Sequence, residues 1–334
     1  MNNLQDWPEP IVRVQSLSES CLDEVPNRYI KPPLERPSIK SSSSSSSFAS
    51  DDDVNIPIVD LGGLYGKDDT LRASILGEIS IACHDWGFFQ VINHGIKPEL
   101  LDRGREIWRE FFHLPMEEKQ NMQILQRPMK DYNKWPALPS NCREVIDEYG
   151  RQVVELCGRL MKVLSINLGL GERRLQDAFG GENIGACLRV NFYPKCPQPE
   201  LTLGLSSHSD PGGMTLLLPD DQVTGLQVRR GNDWITVKPA PHAFIVNIGD
   251  QIQVLSNAIY RSVEHRVIVN SAKERVSLAF FYNPKGIPIE PLKELVTPER
   301  PSLYQAMTFD EYRLFIRTRG PKGKSQVESL KSPR

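Results

Sequence analysis

The sequence lacks a strong charge of either sign and any long run of apolar residues. Its 334 residues include 40 lysines and arginines against 42 aspartates and glutamates, a net charge of -2, and its pI is about 6.3. That balance gives no reason to expect nucleic acid or an acidic membrane surface as a partner. Because no stretch of about 18 apolar residues is present, the sequence also predicts no membrane-spanning helix.

Targeting signals and paired cysteines are missing as well. The first residues, MNNLQDWP, contain no basic stretch followed by an apolar one, which is the pattern of a secretory signal. The six cysteines form no CxxC pair, so they predict neither a disulfide framework nor a zinc ribbon. We therefore expect a cytoplasmic protein with reduced thiols.

Composition divides the chain into five segments. A short helical N-terminal segment is followed by a linker that contains seven consecutive serines and then three aspartates, too polar to form a core. Next come a mixed helical and strand domain, a domain of short strands and a helical C-terminal segment. The predicted bounds are 1–35, 36–55, 56–180, 183–290 and 291–334.

The pattern of short strands defines the expected fold. Helical periodicity predicts helices over 69–84, 98–121, 141–168 and 308–318. After residue 186, β-branched and leucine-rich runs alternate with proline and glycine turns, which is typical of a jelly roll. These runs are 187–193, 201–207, 213–218, 225–229, 234–237, 243–247, 260–269 and 275–282. We expect a mixed α+β chain dominated by β structure, with a double-stranded β-helix (jelly-roll) core and a helical and mixed N-terminal domain.

Two histidines and one aspartate form the most specific pattern in the chain. His208 and Asp210 lie two residues apart, so in extended backbone they face the same side, and His265 follows 55 residues after Asp210. Two histidines and a carboxylate are the ligands of a non-haem Fe(II) site with open positions. A structural zinc site would need four ligands instead. Taken alone, the His-x-Asp triplet is a weak signal, because most such triplets are ordinary structural residues.

Arg275 and Ser277 share one face of an otherwise apolar predicted strand. A buried guanidinium needs an anionic partner, and its fork together with a hydroxyl suits a carboxylate. A structural ion pair with an aspartate or glutamate would satisfy the arginine equally well. Together with the three metal ligands, the pair favours a dicarboxylate co-substrate that chelates the iron and meets Arg275 at its other end.

With these motifs the chain resembles the plant Fe(II)- and 2-oxoglutarate-dependent dioxygenases. Three further stretches are similar to that family, namely 56–61 (IPIVDL), 87–95 (GFFQVINHG) and 191–196 (NFYPKC). The resemblance implies an enzyme that uses Fe(II), 2-oxoglutarate and dioxygen, with ascorbate as a supporting cofactor. It also implies that Asn191 and Tyr193 lie near 2-oxoglutarate. We expect a monomer with a small-molecule substrate.

Residues 7–17 (WPEPIVRVQSL) and 281–286 (FYNPKG) resemble one branch of this family, the jasmonate-inducible oxygenases. That branch hydroxylates jasmonic acid at C12, which inactivates the hormone and damps jasmonate-dependent defence. The resemblance therefore implies the same reaction for this chain.

The same resemblance implies that Arg189, Arg313 and Arg317 hold the jasmonate carboxylate. Arg313 and Arg317 are four residues apart on a predicted helix and share one face, where like charges repel unless an anion lies between them. Without the resemblance, a solvated basic helix face is the simpler interpretation. Phe280 and Phe281 are both candidate substrate residues, although only one of them is expected to line the pocket while the other packs in the core.

The chain departs from the family between residues 122 and 130. Family members carry a few dozen more residues there, including a strand beside the jelly roll and part of the wall of the substrate pocket. Two alternatives therefore stay open. One is a flavonoid oxidase of the anthocyanidin synthase type, and the other is an inactive shortened isoform that binds its ligand without turnover.

Overall fold

The structure is a computed structural model that describes residues 13–20, 22–37, 54–119, 135–319 and 325–331. Most of the predicted serine-rich linker and the predicted site of the shortening lie outside these residues. Residues 7–12 of the branch-specific stretch do so too.

In the described part of the chain the helices are α1 (Val14–Glu19), α2 (Asp69–Ile81), α3 (Pro98–His113), α4 (Met116–Lys119), α5 (Cys142–Asn167), α6 (Arg174–Ala178), α7 (Asp250–Leu255), α8 (Phe309–Arg319) and α9 (Ser325–Glu328). The strands are β1 (Ile58–Asp60), β2 (Phe88–Ile92), β3 (Gly185–Tyr193), β4 (Leu205–His208), β5 (Met214–Leu218), β6 (Leu226–Arg230), β7 (Asp233–Thr236), β8 (Phe244–Ile248), β9 (His265–Val267), β10 (Arg275–Asn283), β11 (Pro288–Ile289) and β12 (Met307–Thr308). None of the described helices is both long and apolar enough to cross a membrane.

Two sheets form the jelly roll. The larger sheet has the strand order β1-β2-β8-β5-β10-β3, and the smaller has the order β4-β9-β6-β7. All of their pairings are antiparallel except that of β1 with β2. One large cavity is lined by residues of both sheets, so it opens between them. The expected jelly-roll fold class is confirmed.

Strand β10 separates the core from this cavity. Its even-numbered side chains from Val276 to Tyr282 are buried in the main core, where α3 and α5 pack against the strand. Its odd-numbered residues from Arg275 to Asn283 all line the cavity. The alternation follows from the period of two in a β-strand. One strand therefore supplies both the support of the site and part of its wall.

Three of the four predicted helices are confirmed, with ends that lie within three residues of the predicted bounds. The helix predicted to residue 121 ends at His113, and the short helix α4 follows it. The strand predicted over 260–269 is wrong in its first half, because only His265–Val267 is extended. Just before it, Asn257 and Ala258 have φ values of 50° and 63°, which a strand does not allow. The predicted strand 201–207 begins later, at Leu205.

Because the two faces of β10 differ in burial, truncation of neighbouring side chains should lower the free energy of unfolding by different amounts. Phe280→Ala removes a fully buried ring from the core and is expected to lower the free energy of unfolding by about 3–5 kcal/mol. Phe281→Ala removes a half-buried ring on the cavity side and should cost clearly less. Urea unfolding of both variants measures the difference. Equal losses would show that the assignment of the two faces is wrong.

Candidate metal centre and anion pocket

The two histidines lie opposite each other on paired strands. His208 is the last residue of β4 and His265 the first of β9, and the two are register partners. Their ring centroids are 4.3 Å apart. Asp210 follows in the turn after β4, and its Oδ1 lies 3.6 Å from Nε2 of His208 and 3.7 Å from Nε2 of His265. The three donor atoms therefore converge on one point, as expected for a metal site.

The outer nitrogen of each ring contacts backbone. His208 Nδ1 lies 2.8 Å from the carbonyl oxygen of Ser206, and His265 Nδ1 lies 3.3 Å from that of Val263. A carbonyl oxygen can only accept, so Nδ1 is the donor in each ring. This tautomer leaves the lone pair of Nε2 free to bind a metal. Burial is the main cause that lowers the pKa of His265, to about 4, which favours the neutral, ligating form.

The carboxylate of Asp210 is held on one side only. Its Oδ2 accepts hydrogen bonds from Thr215 Oγ1 at 2.5 Å and from Asn247 Nδ2 at 2.9 Å, while Oδ1 faces the histidines. Burial alone would raise the pKa of Asp210, but the two histidines and these two donors hold it below its ordinary value. One ionised carboxylate and two neutral imidazoles are the donor set that Fe(II) takes in oxygenases. The residues therefore fit the metal.

Arg275 provides the buried positive charge of the pocket. Its side chain is buried, its Nη1 donates to Ser277 Oγ at 3.3 Å, and its guanidinium lies 5.2 Å from the ring centre of Tyr193. Its Nε is buried without a hydrogen-bond partner. Burial lowers the pKa of this guanidinium, so the charge is destabilised until an anion arrives.

The alternative of a structural ion pair fails for Arg275. Among the described residues the nearby carboxylate of Asp220 is engaged by Arg109 at 3.2 Å and by the backbone N–H of Val276 at 2.8 Å. Arg275 itself forms no ion pair with a described carboxylate. A cation buried beside a metal site, with an unused donor, fits the distal carboxylate of a dicarboxylate such as 2-oxoglutarate.

The other predicted site residues on β3 and β10 lie on one or the other face of this strand pair. Asn191 and Tyr193 pair with Ser277 and Arg275 across β3 and β10, and all four line the same cavity, whose volume is about 1560 Å³. Phe281 lines it too. Phe280 lies on the opposite face, fully buried in the core. The prediction of Phe280 as a substrate residue is therefore wrong.

The three predicted substrate arginines line this cavity as well. Arg189 projects from β3, while Arg313 and Arg317 project from α8. Arg313 is about one-third exposed, and its ion pair with the exposed Asp310 is long, at 3.9 Å. Such an exposed pair contributes little. The guanidinium of Arg313 therefore stays available to an anion in the cavity.

Three residues of the site were not predicted from the sequence. Thr215 and Asn247 brace Asp210 from β5 and β8, and Phe309 lines the cavity with Arg313 stacked 5.6 Å above its ring. Their signals in the sequence are weak. Thr215 and Asn247 are polar residues in otherwise apolar strands, and Phe309 precedes Arg313 by one helical turn.

Comparisons with known proteins agree with this geometry. Residues 184–284 match the 2OG-Fe(II) oxygenase superfamily, and residues 56–138 match the N-terminal domain described as non-haem dioxygenase in morphine synthesis. Jasmonate-induced oxygenase 2 of Arabidopsis thaliana is 59% identical over 99% of this chain and 96% of its own length. The chain belongs to the 2OG-Fe(II) oxygenase superfamily. It is thus an Fe(II)- and 2-oxoglutarate-dependent oxidoreductase by family, and His208, Asp210 and His265 form a group fit to hold the iron.

Solved structures extend the likeness to three dimensions. The crystal structure of JOX2 in complex with 2OG, Fe and JA superposes with a TM-score of 0.87 at 60% identity, and covers 98% of this chain and 99% of that chain. A dioxygenase for auxin oxidation from rice superposes at 0.73 with 26% identity, over 83% of this chain and all of its own.

The alignment also bears on chain length. It spans 363 positions against a chain of 334 residues, so at least 29 positions face gaps in this chain. This agrees with a chain shortened relative to the family. The place of the shortening, expected between residues 122 and 130, stays a prediction.

Loss of the brace on Asp210 should weaken metal binding. Asn247→Ala removes one of two donors to Oδ2, and we expect the affinity for Mn(II) to fall by about 10–100-fold. Isothermal titration of the metal-free protein measures this. The matched control is Asn167→Ala. The side-chain amide of Asn167 donates to the backbone carbonyl of Leu76 and not to a residue of the triad. A similar loss in both variants would contradict the bracing role.

Loss of the guanidinium fork should weaken binding of the co-substrate alone. Arg275→Lys keeps the charge but removes the paired donors, so the Kd of 2-oxoglutarate should rise about tenfold or more. The Kd of Mn(II) measured without 2-oxoglutarate should stay unchanged. Arg151→Lys, at an exposed arginine of α5 that pairs with Glu148, serves as the control. An unchanged Kd of 2-oxoglutarate in Arg275→Lys would refute this assignment.

Proposed function

We propose that this protein hydroxylates jasmonic acid at C12, giving 12-hydroxyjasmonate and lowering the level of active jasmonate. Fe(II), 2-oxoglutarate and dioxygen take part, with ascorbate as a supporting cofactor. The observation that carries the proposal is one cavity with two positively charged regions. The first is Arg275 beside the metal triad, and the second is formed by Arg189, Arg313 and Arg317.

The two regions suit two different carboxylates. Arg275 is buried and lies on the strand face that also carries Ser277, which fits a dicarboxylate that reaches the metal. The other three arginines are more exposed, which fits a carboxylate that enters from outside. Phe281 adds an apolar surface to the same cavity. A small molecule with one carboxylate and one apolar chain matches this second region, and jasmonic acid is such a molecule.

The relatives support the same substrate. Four jasmonate-induced oxygenases of Arabidopsis thaliana are 50–60% identical to this chain over nearly all of its length. The solved complex of one of them contains 2OG, Fe and JA. Flavanone 3-dioxygenase 2 of rice, a relative with a flavonoid name, is 38% identical over 89% of this chain. A flavonoid substrate would leave the arginine trio unexplained.

The chain's own residues perform three tasks in this reaction. His208, Asp210 and His265 would hold the metal, which together with 2-oxoglutarate supplies the activation of dioxygen when bound. Arg275 and Ser277 orient the co-substrate through its far carboxylate. The arginine trio fixes the substrate carboxylate, so that the apolar chain extends along the cavity towards the triad, and this fixed orientation selects which carbon is hydroxylated.

Turnover of jasmonic acid tests the proposal. Incubation with jasmonic acid, Fe(II), ascorbate and 2-oxoglutarate should give 12-hydroxyjasmonate and succinate, detected by mass spectrometry. His265→Ala should give neither. A folded wild-type protein that forms no succinate above the His265→Ala background would refute the proposal and favour the inactive shortened isoform.

Arg313→Ala separates jasmonate from a flavonoid. Loss of one charged contact should raise KM for jasmonic acid about tenfold or more, while KM for 2-oxoglutarate stays unchanged. Arg173→Ala, an exposed arginine outside the cavity, is the control. The flavonoid alternative would be favoured by two results together. The protein would turn over a neutral flavanone equally well with and without Arg313→Ala, and it would not turn over jasmonic acid.

A further inference from the structure

Asp250 is a buried carboxylate that the metal site does not use as a ligand. It is the first residue of α7, and its side chain is almost fully buried. Its Oδ2 accepts hydrogen bonds from Tyr312 Oη at 2.7 Å and from Ser209 Oγ at 3.2 Å. No lysine, arginine or histidine in the described residues pairs with it. A buried carboxylate without a cation is costly, and these two hydroxyl groups supply part of the stabilisation that it needs.

These two donors come from the two functional parts of the cavity. Ser209 lies between the metal ligands His208 and Asp210. Tyr312 belongs to α8, next to Arg313. The carboxylate of Asp250 therefore connects the turn that carries the metal ligands to the helix that carries two of the cavity arginines.

The backbone tightens the connection on the metal side. The N–H of Asp250 donates to the carbonyl oxygen of Asp210 at 2.8 Å, and the N–H of Gln251 donates to that of Gly212 at 2.9 Å. A Cβ on Gly249 would lie only 2.3 Å from the Gly212 carbonyl oxygen, so the two turns touch without space for a side chain. The start of α7 and the ligand turn thus move as one unit.

On the other side, Tyr312 is the most deeply buried described residue of α8, beside the half-buried Phe309, Phe315 and Ile316. Among the α8 side chains that the structure describes, only Tyr312 is fully buried, whereas Arg313 is half-buried and Leu314 and Arg317 are exposed. A shift of this helix by about 1 Å would displace both arginines enough to impair binding. The hydrogen bond from Tyr312 to Asp250 is placed to prevent that shift.

We propose that Asp250 is a positioning residue that couples α8 to the metal-ligand turn through Tyr312 and Ser209. Occupation of the triad then stiffens α8 and orders its arginines, and an anion on the arginines strengthens binding at the triad by the same factor. The effect on α8 depends only on the metal triad. The effect on a carboxylate substrate rests on the proposed function.

Hydrogen exchange tests the effect on α8 without any substrate. Addition of Mn(II) and 2-oxoglutarate to the metal-free protein should slow amide exchange of a peptide covering 309–319 by on the order of fivefold. Tyr312→Phe removes one hydroxyl and should abolish the slowing. Asp250→Asn keeps an acceptor oxygen and should retain most of it. Tyr260→Phe, another buried tyrosine whose hydroxyl bonds to a backbone carbonyl, should behave as wild type.

Binding of jasmonic acid gives the second measurement. In wild type, Mn(II) and 2-oxoglutarate should tighten binding of jasmonic acid about fivefold or more. In Tyr312→Phe this factor should fall to about one, with an unchanged Kd for Mn(II) in the absence of jasmonic acid. If wild type does not bind jasmonic acid, the proposed function fails, and the exchange experiment still decides the role of Asp250.

Two results would overturn the role of Asp250. One is slowing of α8 exchange in Tyr312→Phe equal to that in wild type. The other is that Tyr312→Phe and Tyr260→Phe lower the melting temperature equally and reduce the slowing of α8 exchange equally. That result would show that the Tyr312 hydroxyl only stabilises the fold.

Discussion

Keeping charged groups between two sheets, away from water, is the constraint on which the rest of this structure depends. Asp210 and Arg275 are both buried, and each charge would cost several kcal/mol if it were left without compensation. Asp210 receives two neutral donors on Oδ2 and leaves Oδ1 towards the histidines. Arg275 retains a buried Nε without a partner. The protein thus compensates each charge only in part. The uncompensated negative charge of Asp210 is available to a metal, and the uncompensated positive charge of Arg275 is available to an anion.

The alternation of β10 makes this arrangement possible in structural terms. Its even-numbered residues pack into the main core, and these large apolar side chains offset the unfavourable burial of Arg275 and Ser277 on the other face. On the neighbouring strand β3 the odd-numbered residues face the cavity as well. Asn191 therefore pairs with Ser277, and Tyr193 pairs with Arg275. The support of the cavity and its chemistry are therefore parts of the same two strands.

Local spacing explains which parts of the site could be predicted. Arg275 and Ser277 lie two residues apart on β10, and this spacing alone places them on one face. His208 and Asp210 have the same spacing, but Asp210 lies just beyond the end of β4. The same phase extends from Arg275 to Phe281, so the alternation along the strand is enough to distinguish Phe281 from Phe280. The phase carries no information about Asn247 or Thr215, because their contacts with Asp210 cross between strands.

The short helix α7 shows another limit of sequence patterns. Three of its six residues are polar, yet all six are buried, so its burial does not follow the polar and apolar faces by which a surface helix is recognised. The positive φ angles of Asn257 and Ala258, which end the region, belong to residue types that give only a weak signal of that conformation. Hence α7 and the turn after it were not predicted, and the strand predicted over 260–269 begins five residues too early.

The different depths of the arginines explain why the position of α8 matters. Arg275 is buried, so its interaction with an anion is strong and little screened. Arg189 and Arg317 are exposed and Arg313 is half-buried, and a single exposed ion pair contributes only about 0–1 kcal/mol. A carboxylate in the outer part of the cavity is therefore held firmly only when several arginines converge on it. That convergence requires α8 to keep its position relative to β3. Tyr312 is the buried side chain through which α8 meets the turn that carries the metal ligands.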